Sequence, residues 1–400
     1  MEQLRSRLIA ERPVAKLAGR KCIACIFGTR PEAIKMAPII QSLAADPSTR
    51  PVVVATGQHR ELLDQVTDLF DLDIATNLDV MQDGQSLGDM TAAILQGLGP
   101  VLEDLAPDCV LVHGDTTTTL AASLAAFYAG IPVGHVEAGL RTGDRAAPWP
   151  EEMNRTLVAG LATMHFAPTQ GAAENLIREG VDPEQIEVTG NTAIDALEWV
   201  RQTALQSPEI ALDMEQRFPW LARTRRLVLV TGHRRENQDG GLAQIAAAII
   251  RLAARGDVQI AWPVHPSPKV RANLDQVLTH APGGQHIHMI EPLGYRAFAW
   301  LMGRAELIIT DSGGIQEEAP SLGKPVLVTR EVTERPEAVA AGTVRLVGTS
   351  TERIVAEATR LLDDWGAYRA MARTINPYGD GQAAGRIHAR LVKELAERAF

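Results

Sequence analysis

Short apolar runs rich in β-branched residues recur along the chain, and helix-length segments separate most of them. In the first half they lie at 22–27, 52–56, 109–113, 133–136, 165–167 and 186–188. In the second they lie at 227–231, 259–264, 286–290, 307–310, 325–328 and 344–347. Successive parallel strands need a crossover, usually a helix, so this alternation restricts the chain to parallel sheets covered by helices on both faces. The two series divide near residues 190–205. The fold class is therefore α/β, with two Rossmann-like domains over 21–190 and 191–381 facing each other across a cleft. A chain of 400 residues is long enough for each domain to bury its own core. Residues 1–20 form a charged lead-in, and a helical tail at 382–400 is expected to return to the first domain. Ligands of such sheets sit outside the carboxyl ends of the strands, so the polar loops there are the place to look for chemistry.

Composition removes several functions. A net charge of -10 gives no support to bulk nucleic-acid binding. No apolar run reaches membrane-spanning length and no signal peptide is visible, so no membrane association and a cytoplasmic location are expected. Cys22 and Cys25 have the spacing of a redox or metal pair. They lie inside an apolar run, however, and no second Cys/His pair completes a zinc site, so they read as core residues.

The most telling strand end is Leu307-Ile308-Ile309-Thr310-Asp311-Ser312-Gly313-Gly314-Ile315-Gln316-Glu317-Glu318. Ser312 can cap a helix, and Gly313 and Gly314 let the backbone approach a ligand. Free N–H groups and the helix dipole make such a turn an anion site, and a carboxylate one turn inside can accept ribose hydroxyls. Alone, the motif would read better as a tight turn with dipole-friendly acids. After the first strand, Gly28-Thr29-Arg30-Pro31-Glu32-Ala33-Ile34-Lys35 places Arg30 and Lys35 at a helix start, where the dipole disfavours cations unless an anion binds. It is not a G-x-G-x-x-G loop, so nicotinamide binding is not indicated. Gln58 and His59 follow the second strand in a polar loop that reads equally well as a plain helix start.

Three carboxylates stand at or near strand ends. Asp115 precedes four threonines and can cap the next helix or act as an acid or base; Glu137 follows the neighbouring strand; Glu151 opens a helix with Asn154 and Arg155 on its face. Converging carboxylates repel, and one or more is expected to hold a proton near neutrality, as proton transfer at carbon requires. In the second half, His233 follows a strand beside Gly232 and Arg234, and His265 is a weaker candidate of the same kind. Phe298 lies in a loop-to-helix segment able to receive a flat base, and Arg335 follows the strand at 325–328.

Residues 27–38, 113–128, 135–155, 230–237 and 308–347 together resemble the bacterial non-hydrolysing UDP-N-acetylglucosamine 2-epimerases, and the resemblance extends over about 22–381. It implies a glycosyltransferase-B type fold and an isomerase that interconverts UDP-N-acetylglucosamine and UDP-N-acetylmannosamine, with no NAD and no required metal. The implied route is elimination of UDP and its re-addition through 2-acetamidoglucal. Family members are homodimers that serve surface-polysaccharide biosynthesis. Arg30 and Lys35 fall on the family's ligand-binding basic positions. Asp115, Glu137 and Glu151 fall on its acid/base carboxylates, and His233 on its active-site histidine. Phe298, Ser312, Gly313, Gly314, Glu318 and Arg335 fall on its nucleotide-binding positions. Leu293 departs from members that carry glutamine near the uracil. Gln58, His59 and His265 fall where bacterial members bind a second UDP-N-acetylglucosamine as allosteric activator. A hydrolysing epimerase, a glycosyltransferase on the same fold and a nucleotide-sugar sensor are the alternatives.

Overall fold

The computed structural model describes residues 19–57, 60–82, 84–221, 224–232, 241–264 and 281–397, apart from the side chains of 60–64 and 204. The lead-in at 1–18 lies outside the described residues, as do Gln58, His59, His233 and His265. Two wholly parallel sheets organise the rest. The first contains β1 (Lys21–Phe27), β2 (Thr49–Ala55), β3 (Ile74–Asn77), β4 (Cys109–His113), β5 (Val133–Val136), β6 (Met164–Ala167) and β7 (Ile186–Val188), in the order β3-β2-β1-β4-β5-β6-β7. The second contains β8 (Arg226–Thr231), β9 (Val258–Pro263), β10 (Ile287–Ile290), β11 (Leu307–Thr310), β12 (Val326–Val328) and β13 (Val344–Leu346), in the order β10-β9-β8-β11-β12-β13. Helices connect the strands and cover both faces of each sheet. The central strands are Val/Ile/Leu-rich and buried along their length, as a doubly covered parallel strand must be.

Each apolar run read as a strand contains one, with ends shifted by three residues at most. β3 was not anticipated. It is a short edge strand, Ile-Ala-Thr-Asn, whose burial alternates and whose composition is half polar. Cys22, Cys25 and Cys109 are buried in the sheet and form no disulfide, and burial pushes the Cys25 thiol far above its ordinary value.

Each half buries an apolar cluster of its own, with Ile94, Leu98 and Val112 in the first and Ile249, Ile260 and Leu361 in the second. A further cluster is shared and runs from Ile23, Phe27 and Leu43 through Leu197 and Val200 to Leu229, Trp300 and Ile308. Leu197 and Val200 belong to the helix Thr192–Trp199 and its π-helical extension Val200–Ala204, which wedge between the two halves. The helix Ala383–Glu397 packs on Arg30–Ala45 and Thr192–Trp199, burying Ile387, Leu391 and Leu395. Asp195 accepts from the Ala383 and Ala384 amides at 3.2 and 2.9 Å, tying down the start of that helix.

In each sheet the chain reverses its direction of winding about a central strand. β1 lies between β2 and β4, and β8 lies between β9 and β11. These are the switch points at which loops diverge and leave a crevice. The loops after β1, β4 and β5 therefore stand side by side, as do the carboxyl ends of β8 and β11.

Candidate active site

The loop after β1 is fixed from within. Thr29 caps the helix Arg30–Ala45 in a capping box, and the Glu32 carboxylate accepts from the Thr29 amide at 2.7 Å and the Gly28 amide at 3.1 Å. Its second oxygen accepts from the Thr116 hydroxyl at 2.7 Å and the Thr119 hydroxyl at 3.2 Å, so Glu32 bridges this loop to the one after β4. Burial pushes the Glu32 carboxyl up, and the hydroxyl and amide donors oppose that. Gly28 admits no side chain, because a Cβ would collide with the Thr56 and Thr118 hydroxyls. Arg30 is left with no acidic partner among the described residues, half-buried at the helix start.

After β4, Thr116 rather than Asp115 caps the next helix, accepting from the Thr119 amide at 3.2 Å. Asp115 is thereby free for other contacts. Its Oδ2 accepts from Arg155 Nε at 2.9 Å, while the Asn154 side chain donates to the Asp115 carbonyl at 2.8 Å. Arg155 also donates to Glu152 at 3.0 Å. Glu151 sits in the first turn of Glu151–Leu161, and its Oε2 is buried with no hydrogen-bond partner among the described residues.

Glu137 follows β5 directly and has φ +63°, a left-handed conformation that costs an L-residue about 1–2 kcal/mol. Its Oε2 accepts from Lys35 Nζ and from Asn191 Nδ2, the latter at 3.1 Å, and lies 3.8 Å from His113 Nε2. Burial works against both charges, but Lys35 holds Glu137 well below the usual carboxylate range. Glu137 and Glu317 in turn raise Lys35. Burial lowers the His113 imidazole to about 4, so it is neutral at pH 7. Asp115 and Glu137 thus each carry their own cation instead of repelling one another.

The facing wall comes from the second domain. Ser312 occupies the N-cap position of Gly313–Glu318, yet its side chain makes no capping bond. Gly313 lies against Arg335, and a Cβ there would stand 3.3 Å from the guanidinium. Arg335 Nε donates to Glu317 Oε1 at 2.6 Å, and Glu317 Oε2 lies 3.5 Å from Lys35 Nζ. The carboxyl raised toward neutrality is not Glu137, which Lys35 holds low, but Glu318, outside the expected trio, which burial and the adjacent Glu317 push up to about 8. Tyr295 belongs to the same pocket; burial and then Glu318 raise its phenol. Phe298 is half-buried on the same helix, Tyr295–Arg304.

The structure therefore joins Lys35 and Glu137 of one domain to Glu317 and Arg335 of the other, with Asp115 at the neighbouring strand end paired to Arg155 of the helix Glu151–Leu161. Two participants escaped the sequence reading. Asn191 was visible only as a helix N-cap after Gly190, a role it does fill by accepting from the Ala193 amide at 2.9 Å. Glu317 stands in the Leu307–Glu318 motif, where only Glu318 is assigned to nucleotide binding.

The sequence profile described as UDP-N-acetylglucosamine 2-epimerase matches residues 41–392. The chain is 55% identical over 366 residues to the UDP-N-acetylglucosamine 2-epimerase of Salmonella typhimurium, covering 91% of this chain and 96% of that one. It has the same identity and coverage with the Escherichia coli protein of that name. Among solved structures, it matches UDP-GlcNAc 2-epimerase from Neisseria meningitidis bound to UDP-GlcNAc with a TM-score of 0.86 and 48% identity, covering 93% of this chain and 100% of that one. For the Methanocaldococcus jannaschii UDP-GlcNAc 2-epimerase in complex with UDP-GlcNAc and UDP, the TM-score is 0.77 at 35% identity, with 93% and 99% covered.

Proposed function

The chain belongs to the UDP-N-acetylglucosamine 2-epimerase family, and on that premise we propose that it interconverts UDP-N-acetylglucosamine and UDP-N-acetylmannosamine. The observation that supports this best is the bridge between Glu137, at the end of a first-domain strand, and Glu317 and Arg335 behind the Ser312-Gly313-Gly314 turn. A diphosphate at that turn would bring its sugar toward Asp115 and Glu137. Residues 21–190 with the tail at 382–400, and residues 191–381, act as the two closing halves.

The C2 proton of the sugar is not activated by any carbonyl conjugated to it. Departure of UDP solves this. The C1–O bond breaks with its electron pair going to the diphosphate, a carboxylate takes the C2 proton, and the C–H pair forms the C1–C2 double bond of 2-acetamidoglucal. Arg30, His233 and the amides of Ser312–Gly314 stabilise the leaving diphosphate, with Phe298 under the base, Glu318 at the ribose and Arg335 completing the pocket. A diphosphate oxygen then re-adds at C1 while a proton reaches the opposite face of C2. Asp115, Glu137 and Glu151 supply the acid/base groups, and Lys35 holds Glu137 until substrate arrives. The glycal must be kept from water, which the closed cleft provides.

Proton NMR of UDP-N-acetylglucosamine incubated with the protein in heavy water tests the reading. UDP-N-acetylmannosamine carrying deuterium at C2 is the expected product. Release of free N-acetylmannosamine with UDP, or no turnover at all, would overturn it.

The proposed assembly is a homodimer. Phe127, Tyr128 and Leu157 are 59%, 73% and 49% exposed on two helices that pack together, Thr117–Tyr128 and Glu151–Leu161. Such an apolar patch suits the self-complementary interface of a homodimer, which sedimentation would register. A second UDP-N-acetylglucosamine at Gln58, His59 and His265 acts as activator, and sigmoidal initial rates would reveal it. Among the described residues no helix is long and apolar enough to cross a membrane, and the proposed location is the cytoplasm.

A further inference from the structure

We propose that Asn191 is a positioning residue for the epimerisation, an uncharged strap that holds the Glu137 carboxylate in place and ties it to the second domain. The inference rests on the reading of Glu137 as an acid/base group. Every polar atom of the Asn191 side chain is used. Nδ2 donates to Glu137 Oε2 at 3.1 Å and to Glu317 Oε2 at 3.0 Å, and Oδ1 accepts from the Ala193 amide at 2.9 Å. The residue is 3% exposed, and its own amide donates to the Tyr378 carbonyl at 2.7 Å, where the chain crosses back from the second domain.

The choice of a neutral donor has a chemical reason. Two carboxylates within reach of one nitrogen repel unless donors stand between them. Lys35 supplies charge, but a permanent cation on Glu137 keeps it a weak base. Lys35 lies between Glu137 and Glu317, and movement toward Glu317 would release Glu137 to accept a proton. Once Lys35 leaves, an amide N–H still orients the carboxylate without suppressing its basicity as an ammonium does. Glu317 belongs to the helix that opens with Gly313 and Gly314, so occupation of that turn bears directly on both partners of the strap.

Asn191→Ser is the discriminating variant, because serine keeps the helix cap but cannot reach both carboxylates. Its kcat should fall roughly ten- to hundredfold, the loss expected for a hydrogen bond to a charged group, while the Kd for UDP stays within about twofold. Glu317→Gln should lower kcat similarly, and the double variant should lose no more than the worse single one. Full kcat in a folded Asn191→Ser, a change confined to UDP affinity, or multiplicative losses in the double variant would overturn the strap. Should Asn191→Ser fail to fold, Glu317→Gln decides by kcat at saturating substrate, since its pairing with Arg335 bears on the Kd for UDP. Glu137→Gln is measured alongside: if it stays fully active, the acid/base reading of Glu137 fails, whereas an inactive Glu137→Gln beside a fully active Asn191→Ser refutes only the strap.

Discussion

Glu137 pairs a strained backbone with a carboxylate whose Oε2 is held by both Lys35 and Asn191, and both features suit a residue kept in place for chemistry rather than for packing. Asp115→Asn and Glu137→Gln keep size and hydrogen bonding but cannot take up the proton. Each should lower turnover by roughly 10²–10⁴-fold with UDP affinity retained, as initial rates and calorimetry would show. Glu318→Gln should instead weaken UDP binding more than it slows the chemical step. Arg30, with no acidic partner among the described residues, is expected to find its anion in the ligand. Arg30→Ala should therefore weaken UDP binding about tenfold or more by calorimetry, the loss of one charge-assisted contact, without lowering the melting temperature. At this scale the sequence was most informative about residue types at strand ends and least about partners. A run of four threonines hides which residue caps the helix, and the cap goes to Thr116, one position beyond Asp115. The pairing of Glu137 with Lys35 joins residues 102 positions apart, which no local pattern encodes.

Among the elements, strands buried on both faces were legible because uninterrupted β-branched runs have few other uses. β3 was not, since an edge strand needs neither the length nor the apolar content of a central one. The capping boxes of Thr29 with Glu32 and of Ser86 with Asp89 went unread, although both are local in the sequence. Glu32 also binds the loop after β4, a contact that no local pattern encodes. Glu32→Ala removes acceptors from two loops at once and should destabilise the protein by about 3 kcal/mol, against about 1 kcal/mol for the cap substitution Thr29→Ala. Urea unfolding would measure the difference, and equal midpoints for the two variants would show that the bridge adds nothing beyond the cap.

For the whole molecule, the first sheet buries His113, His135 and His165 near its strand ends, where burial lowers them to about 4, 3 and 4. Unfolded, each titrates near 6.5. Above that pH both states are neutral and the histidines have no effect. As pH falls below about 6.5 the unfolded chain binds protons that the native state refuses, so stability declines, by up to about 3 kcal/mol for His113, until the native groups titrate. Urea midpoints should drop steeply from pH 6.5 to 4, and His165→Leu should reduce that slope by about one proton; an unchanged slope would show that His165 carries no part of it. The two sheets were legible as a whole because alternation repeats across the chain, but the shared apolar core was not, because contact between halves leaves no period in the sequence. The two chain crossings also meet: a Cβ on Gly190, at φ +92°, would stand 3.4 Å from Gly379 Cα, and Gly379 itself has φ +129°. Where both strands of a tether pass through one point, the bodies they join turn about that point and have little freedom to slide. Lever-arm geometry then grades the motion, small beside the fulcrum and large at the rim. On the proposed closure, Glu137, reached through Asn191 from that fulcrum, would keep company with both halves through every stroke, while the far lips of the cleft would swing widest.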